Sequence, residues 1–186
     1  MKRFCVITNR DKEDSNRKAV YIQEYLEQKG GKCLILENRR VISEGVLHYT
    51  EADKIPEETE CVLVLGGDGT MIQAAIDLVH SKLPILGINM GTVGFLTEVE
   101  PQNLERALDL MLQDKYTIEN RIMLRESSVT PTGTSSGKAC YALNDVVLSK
   151  RGDCRLITIK VYINDELADI YRADGLIIST PTGSTG

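Results

Sequence analysis

Residues 61–65, Cys-Val-Leu-Val-Leu, form an unbroken apolar run that Gly-Gly-Asp-Gly-Thr follows at once. A short apolar run without polar alternation is typical of a strand buried on both faces, as in a parallel sheet covered by helices. A helical pattern then continues through Leu78. This succession of strand, glycine-rich turn and helix predicts one unit of an α/β fold.

Further strands and helices alternate on both sides of this unit. The predicted elements are strands at 3–8, 32–36 and 84–89, a helix from Ser15 to the glycines at 30–31, and a helix at 101–112. The apolar faces of the two helices are expected to hold Ala19, Ile22 and Leu26, and Leu104, Leu108 and Met111. The polar stretch at 37–60 has little periodicity and predicts a long loop with at most one short element.

The pattern changes after about residue 115. Strand-like segments at 121–124, 140–149, 156–163 and 176–180 are separated by polar turns, without a helix between them. We therefore predict an α/β fold class in two parts. Residues 1–118 form a Rossmann-like three-layer domain with a parallel sheet, and residues 119–186 form an all-β region, an incomplete β-sandwich of four or five strands.

Composition excludes several classes of function. The net charge of −5 provides no basic surface for nucleic acid, and no run approaches the roughly 18 apolar residues of a membrane span. The N-terminal apolar run is too short for a secretory signal, so we expect a cytoplasmic protein that binds neither nucleic acid nor membrane. The five cysteines lack a CxxC pair, which favours reduced thiols. His48 and His80 lack the spacing of zinc ligands.

The glycine-rich turn at 66–70 can hold phosphates. Glycine allows close approach of the backbone and positive φ, and a helix that begins near Thr70 directs N–H groups at the turn. Asp68 is unusual there, because a carboxylate repels phosphates unless it binds a metal or accepts a proton from an attacking hydroxyl. The alternative is a simple turn in which Asp68 caps the helix. The dinucleotide-binding fingerprint does not match, since Ile72 stands where it needs Gly or Ala.

Four segments together resemble the NAD kinase family. GGDGT alone is shared with diacylglycerol and sphingosine kinases. The segments GINMGTVGFLTE at 87–98, ALNDVV at 142–147 and DGLIISTPTGST at 174–185 resemble the family's GINxGxxGFLTE, ALNE and DGLIxSTPTGSTAY motifs, in the family's order. The resemblance implies transfer of a phosphoryl group from ATP, or also from polyphosphate, to the adenosine 2′-hydroxyl of NAD. It further implies a divalent metal, Mg²⁺, bound through the donor's phosphates, and a homo-oligomer, dimer or tetramer.

The resemblance also implies roles in the α/β region. Asp68 would be the base for the 2′-hydroxyl. The phosphate-holding loop would consist of Gly66, Gly67, Asp68, Gly69 and Thr70. Phe95 would pack near the adenine, and Asn89 would support its loop; the alternative for Phe95 is an ordinary core residue. On this view Asp68→Asn is expected to lower kcat by orders of magnitude while NAD binding largely remains.

In the β region, Asn144 and Asp145 would bind NAD through ribose hydroxyls and amide groups. The family more often has Glu at 145, and the shorter Asp is expected to shift binding only slightly. Further contacts implied by the resemblance are Asp174 to the nicotinamide carboxamide, Thr185 near the motif's end, and, less specifically, Arg155 and Arg172. Alternatively, Asn144 caps a strand turn and the two arginines are solvated surface charges.

The family motif continues with Ala and Tyr, whereas this sequence has Gly186 and stops. Three interpretations stay open: a shortened piece of a full enzyme, which we favour; an inactive relative; or a chain that completes its sheet with another copy. Two further alternatives are a module that binds nucleotide without turnover and a lipid kinase. Asp68 opposes the first, because binding alone gains nothing from a base, and the Asn144–Asp145 pair opposes the second.

Overall fold

The computed structural model describes residues 1–9, 13–38, 41–43, 46–91, 94–129, 133, 139–152 and 155–184. The chain divides into two compact units, Met1–Glu119 and Asn120–Gly186. The boundary drawn from the sequence lies after residue 118. Among the described residues, no helix is long and apolar enough to cross a membrane.

Unit 1 is a three-layer α/β domain built on four parallel strands. Its elements are β1 (Arg3–Asn9), α1 (Glu13–Gln28), β2 (Lys32–Asn38), β3 (Val41–Ser43), β4 (Val46–His48), β5 (Cys61–Gly66), α2 (Asp68–Asp77), β6 (Ile85–Asn89) and α3 (Leu104–Leu112). The strand order in the parallel sheet is β2-β1-β5-β6. Val6 of β1 lies opposite Ile35 of β2 on one side and Leu63 of β5 on the other, so β1 and β5 are central.

Both faces of this sheet are covered, as the unbroken apolar run predicts. All six residues of β5 are buried. The core under α1 and α3 contains Phe4, Val6, Ala19, Ile22, Leu26, Leu63, Leu65, Leu104, Leu108 and Met111. The core under α2 contains Cys5, Ile7, Val62, Val64, Ala74 and Leu78. Successive strand residues therefore alternate between two helical layers, which confirms the predicted three-layer architecture.

The interpretation of residues 37–60 as a loop with at most one short element is wrong. This stretch contains the antiparallel hairpin of β3 and β4 and a 3₁₀ turn at Ala52–Lys54. The chain after β4 is attached to α2, because the Asp77 carboxylate accepts hydrogen bonds from the N–H groups of Tyr49 at 2.9 Å and Thr50 at 2.8 Å. Contacts between residues so distant in sequence leave no periodic pattern.

Unit 2 is all-β, as predicted, but its strands form separate two-stranded ribbons. They are β7 (Leu124–Glu126), β8 (Cys140–Ala142), β9 (Asp145–Ser149), β10 (Ile157–Ile163), β11 (Glu166–Ala173) and β12 (Gly175–Ser179). The antiparallel pairs are β7 with β8, β9 with β12, and β10 with β11. These six strands exceed the four or five expected. The sequence reading missed β11, which is exposed over seven of its eight residues and therefore lacks apolar alternation.

Candidate functional site

The GGDGT turn joins the end of β5 to the start of α2. Gly67 is the N-cap of α2 in an extended conformation, and its carbonyl accepts hydrogen bonds from the N–H groups of Thr70 at 3.0 Å and Met71 at 3.1 Å. The helix thus begins at Asp68 rather than near Thr70. Its N-terminus lies at the carboxyl end of a central parallel strand, where α/β folds place their ligands and where anions are favoured.

The glycines of this turn provide space rather than unusual backbone angles. Although glycine permits positive φ, none of Gly66, Gly67 and Gly69 has it. A Cβ on Gly66 would lie 2.5 Å from Oγ1 of Thr70, so this position must be small. A Cβ on Gly67 or Gly69 would meet no atom of the described residues within 4 Å. The backbone at those two positions therefore stays open to a ligand.

Asp68 contacts a second loop of unit 1. Its Oδ2 accepts a hydrogen bond from the N–H of Phe95 at 2.7 Å, and its Oδ1 accepts one from the N–H of Leu96 at 3.0 Å. The hydroxyl of Thr97 lies 3.5 Å from Oδ1. Because the carboxylate turns towards these groups and Gly67 is the N-cap, the alternative in which Asp68 caps its own helix is wrong.

These contacts set the charge state of Asp68. Partial burial raises its pKa, but the hydrogen bonds from Phe95, Leu96 and Thr97 outweigh burial, and the net result is a pKa below the ordinary value. Hydrogen bonds to the charged form stabilise it. The side chain is therefore an anion at neutral pH.

The loop after β6 starts at a buried amide. Asn89 is 2% exposed, its Oδ1 accepts a hydrogen bond from the N–H of Gly91 at 2.7 Å, and its own N–H donates to the carbonyl of Val99 at 2.8 Å. The N–H of Met90 donates to the carbonyl of Gly66, which links this loop to the GGDGT turn. Phe95 is 67% exposed, so its alternative interpretation as a core residue is wrong.

In unit 2, Asn144 lies against the turn that follows β12. The carbonyl of Asn144 accepts hydrogen bonds from the N–H of Thr180 at 2.8 Å and from Oγ of Ser179 at 3.2 Å. Buried Thr180 also donates through Oγ1 to the carbonyl of Leu143 at 2.5 Å. A Cβ on Gly183 would lie 2.4 Å from the carbonyl oxygen of Asn144. The ALND and STPTGS segments are therefore packed together by their main chains.

The side chain of Asn144 stands out in this arrangement. Its Oδ1 is buried and has no hydrogen-bond partner among the residues that the structure describes. The side-chain oxygen therefore does not cap a turn, whereas its main chain organises one. A buried acceptor without a partner is costly, which suits an atom that a ligand satisfies.

Asp145 and Asp174 lie at opposite ends of one ribbon. Asp145 is paired with Ser179 at one end of the β9–β12 ribbon, and Asp174 precedes Gly175, which is paired with Ser149 at the other end. Four steps along a strand separate the two ends by about 13 Å. Asp174 also forms an ion pair with Lys150, Nζ to Oδ1 at 2.5 Å. The structure thus does not bring the two carboxylates together.

The remaining candidates are less constrained. Arg172 lies on β11 opposite Thr158 and is exposed, and Arg155 is exposed in a bend before β10. Thr185 lies outside the described residues. Within the described parts of the chain, no group of three or more His, Cys, Asp or Glu side chains could hold a metal ion.

Sequence reasoning missed three residues that shape these regions. Gly94 lies against the Asp68 carboxylate, Thr180 connects the turn after β12 to Leu143 and Gly183, and Lys150 pairs with Asp174. Gly94 and Thr180 lie inside the motif segments, so the motifs could have directed attention to them. No sequence signal distinguishes Lys150.

Comparisons with known protein families identify the family to which this chain belongs. The family model for the ATP-NAD kinase N-terminal domain matches residues 4–116, and that for the ATP-NAD kinase C-terminal domain matches residues 143–186. The chain belongs to the ATP-NAD kinase family. This membership argues against the alternative of a lipid kinase.

Curated relatives match over the whole chain. An NAD kinase from Lachnoclostridium phytofermentans is 43% identical over 100% of this chain and 64% of the relative, and one from Agathobacter rectalis is 41% identical over 100% and 63%. This chain therefore spans less than two thirds of the length of these relatives.

Solved structures share the fold. Yeast NADH kinase complexed with NADH matches with a TM-score of 0.75 at 19% identity, over 100% of this chain and 59% of that one. An NAD kinase from Archaeoglobus fulgidus in complex with ATP matches with a TM-score of 0.65 at 24% identity, over 99% and 63%. These matches support the two-part α/β architecture.

Proposed function

We propose that this chain carries the phosphoryl-transfer site of an NAD kinase, which transfers the terminal phosphoryl group of ATP to the adenosine 2′-hydroxyl of NAD and yields NADP. The observation that carries the proposal is the ionised Asp68 carboxylate at the open N-terminus of α2. Family membership supports phosphoryl transfer as the chemistry for which this carboxylate is suited.

The GGDGT turn would bind the phosphates of the donor. Gly67 and Gly69 leave the backbone accessible, and the N-terminal end of α2 favours negative charge. Mg²⁺ suits this arrangement, because it retains water ligands and binds through donor phosphates, where it neutralises developing charge. The protein then needs no complete ligand set of its own.

Asp68 would orient the attacking hydroxyl and accept its proton. An ionised carboxylate has about four acceptor positions. The N–H groups of Phe95 and Leu96 fill two of them, so acceptor capacity remains for a ribose hydroxyl. A lowered pKa makes Asp68 a weak base. Phosphoryl transfer proceeds through a loose transition state that requires positioning more than early proton removal, so a weak base is sufficient.

Residues of the β region would also bind NAD. The buried Oδ1 of Asn144 would accept a hydrogen bond from the ligand, and Asp145 would bind ribose hydroxyls. A single NAD molecule that contacts both Asp145 and Asp174 would have to extend along β12. Contacts from Arg155, Arg172 and Thr185 stay predictions. So do the cytoplasmic location, the use of polyphosphate and the homo-oligomeric state.

The test is formation of NADP from NAD, ATP and Mg²⁺ by the purified 186-residue chain, with Asp68→Ala as the matched inactive variant. We expect product from the wild-type chain and a decrease in kcat of at least about 10²-fold in the variant, the size of a general-base contribution. Equal activity of the two proteins would refute the assignment of Asp68. Binding of NAD without product would support a nucleotide-binding module instead.

A further inference from the structure

The turn at residues 94–97 presents one aromatic ring to solvent while its neighbours are buried. Phe95 is 67% exposed, whereas Leu96 is 9% and Thr97 is 3% exposed. An aliphatic or aromatic side chain normally stabilises a fold by leaving water. Phe95 does not do so, although Leu96 beside it is buried. Its exposure is imposed by the backbone of the turn.

Asp68 is the group that fixes this backbone. Its two oxygens accept separate hydrogen bonds, one from the N–H of Phe95 at 2.7 Å and one from the N–H of Leu96 at 3.0 Å. Hydrogen bonds to an ionised acceptor are stronger than those between neutral groups. The two N–H groups that flank the Cα of Phe95 are therefore both attached to one carboxylate, 27 and 28 residues earlier in the chain.

The absence of a side chain at Gly94 leaves room for the Asp68 carboxylate. A Cβ at position 94 would lie 2.0 Å from Oδ1 and 2.6 Å from Cγ of Asp68, and 2.8 Å from Oγ1 of Thr97. Any side chain there would displace the carboxylate. Gly91, at the start of the same loop, differs: within the part of the chain that the structure describes, a Cβ at that position would meet no atom within 4 Å. The small residue at 94 thus permits the attachment of the turn to Asp68.

We propose that Asp68 is, besides its role towards the hydroxyl, the positioning residue of Phe95: it holds the turn at 94–97 so that the ring is presented as a flat apolar surface for a base of the dinucleotide. The identity of this ligand depends on the proposed function. A side chain whose main chain is already held in place loses less conformational entropy when a planar ligand stacks on it.

This geometry changes the expectation for Asp68→Asn. An amide has one acceptor oxygen, and its NH₂ group only donates. Asn at 68 would therefore place a donor opposite one of the two N–H groups and release half of the turn. The substitution should weaken NAD binding as well as slow transfer, contrary to the sequence-based expectation that binding largely remains.

The first arm of the test measures amide hydrogen exchange at Phe95 and Leu96 by NMR in the ligand-free chain. Asp68→Asn and Gly94→Ala should each accelerate exchange of these two amides by about tenfold or more, the range expected for loss of a hydrogen bond to a charged group. Gly91→Ala is the matched control and should exchange like the wild type. Unchanged exchange in Asp68→Asn would overturn the proposal without any reference to ligand.

The second arm measures NAD affinity by calorimetry for wild type, Asp68→Asn, Phe95→Ala and the double variant. If Asp68 acts through Phe95, Asp68→Asn should weaken binding several-fold in the wild-type background and much less in the Phe95→Ala background. Equal losses in both backgrounds would mean that Asp68 contacts NAD independently of Phe95, and the positioning role would be wrong. Circular dichroism of each variant verifies folding.

The two arms separate this proposal from the function on which it rests. Absence of NAD binding by the wild-type chain would refute the proposed function and the ligand assigned to Phe95. The exchange measurement would still decide whether Asp68 holds the turn. Faster exchange in Asp68→Asn together with unchanged NAD affinity would show that the turn is held but that its position is irrelevant to the dinucleotide.

Discussion

The two units bury their apolar residues very differently. In unit 1, a continuous parallel sheet has both faces covered by helices, and residues 4–8 of β1 and all of β5 are buried. In unit 2, Leu143 and Ile159 are the only buried hydrophobic side chains among the described residues, and the strands pair only as ribbons. Two-stranded ribbons are marginally stable on their own.

This difference indicates where each unit obtains its order. Unit 1 is stabilised by a core of its own. Unit 2 keeps exposed aliphatic side chains on the β9–β12 ribbon, namely Val147, Leu148, Ile177 and Ile178. Its most specific packing is the main-chain contact between Asn144 and the turn at Thr180–Gly183, which belongs to the candidate site rather than to a core. Unit 1 thus combines a core of its own with Asp68 and the GGDGT turn, whereas the most specific packing of unit 2 lies at candidate site residues.

The largest expected difference between the two units is in the reactivity of their thiols. Burial raises the pKa of the thiols of Cys5, Cys33 and Cys61 in unit 1 to about 12, whereas Cys140 of unit 2 is exposed. At neutral pH, iodoacetamide should modify Cys140 at least about 10³-fold faster than the three buried thiols, which require unfolding to react. Peptide mass spectrometry of timed samples measures each site. Comparable rates of modification at Cys140 and Cys61 would contradict the difference in burial between the two units.

Truncation of core side chains should give the next largest difference. Leu63→Ala removes a fully buried side chain of β5 and should decrease the free energy of unfolding of unit 1 by about 2–5 kcal/mol. Ile177→Ala, at a residue of β12 that is 66% exposed, should change stability by no more than about 0.5 kcal/mol. Urea denaturation followed by circular dichroism measures both. A large decrease in the free energy of unfolding for Ile177→Ala would show that Ile177 contributes to a core of unit 2 despite its exposure.

Acid titration should give the smallest effect. Burial raises the pKa of Asp68, but hydrogen bonds from the turn at 94–97 outweigh it and lower the pKa below the ordinary value of about 3.9. A lowered folded pKa contributes stability above that value and loses it as the pH falls through the folded pKa. The difference in Tm between wild type and Asp68→Ala should therefore be constant near neutrality and shrink below about pH 4. A difference that does not shrink as the pH falls below about 4 would exclude this linkage.

Much of the fold could be predicted because its signals are local. The buried face of α1, with Ala19, Ile22 and Leu26, follows from helical spacing, and the two-sided burial of β5 follows from its unbroken apolar run. The predictions failed where no local pattern exists. The hairpin of β3 and β4 adjoins a loop attached to α2 through Asp77, and β11 is exposed without alternation.

The sequence by itself determined most of the strands and helices, the identity of the motif residues and the family, because hydrophobic period and short motifs are properties of neighbouring residues. Only the tertiary structure decided which of these residues meet. β6 lies beside β5 in the sheet, and this adjacency brings the loop after β6 to Asp68. The separation of Asp145 from Asp174 likewise follows from strand pairing. Such contacts arise from the packing of distant segments, for which spacing along the chain contains no signal.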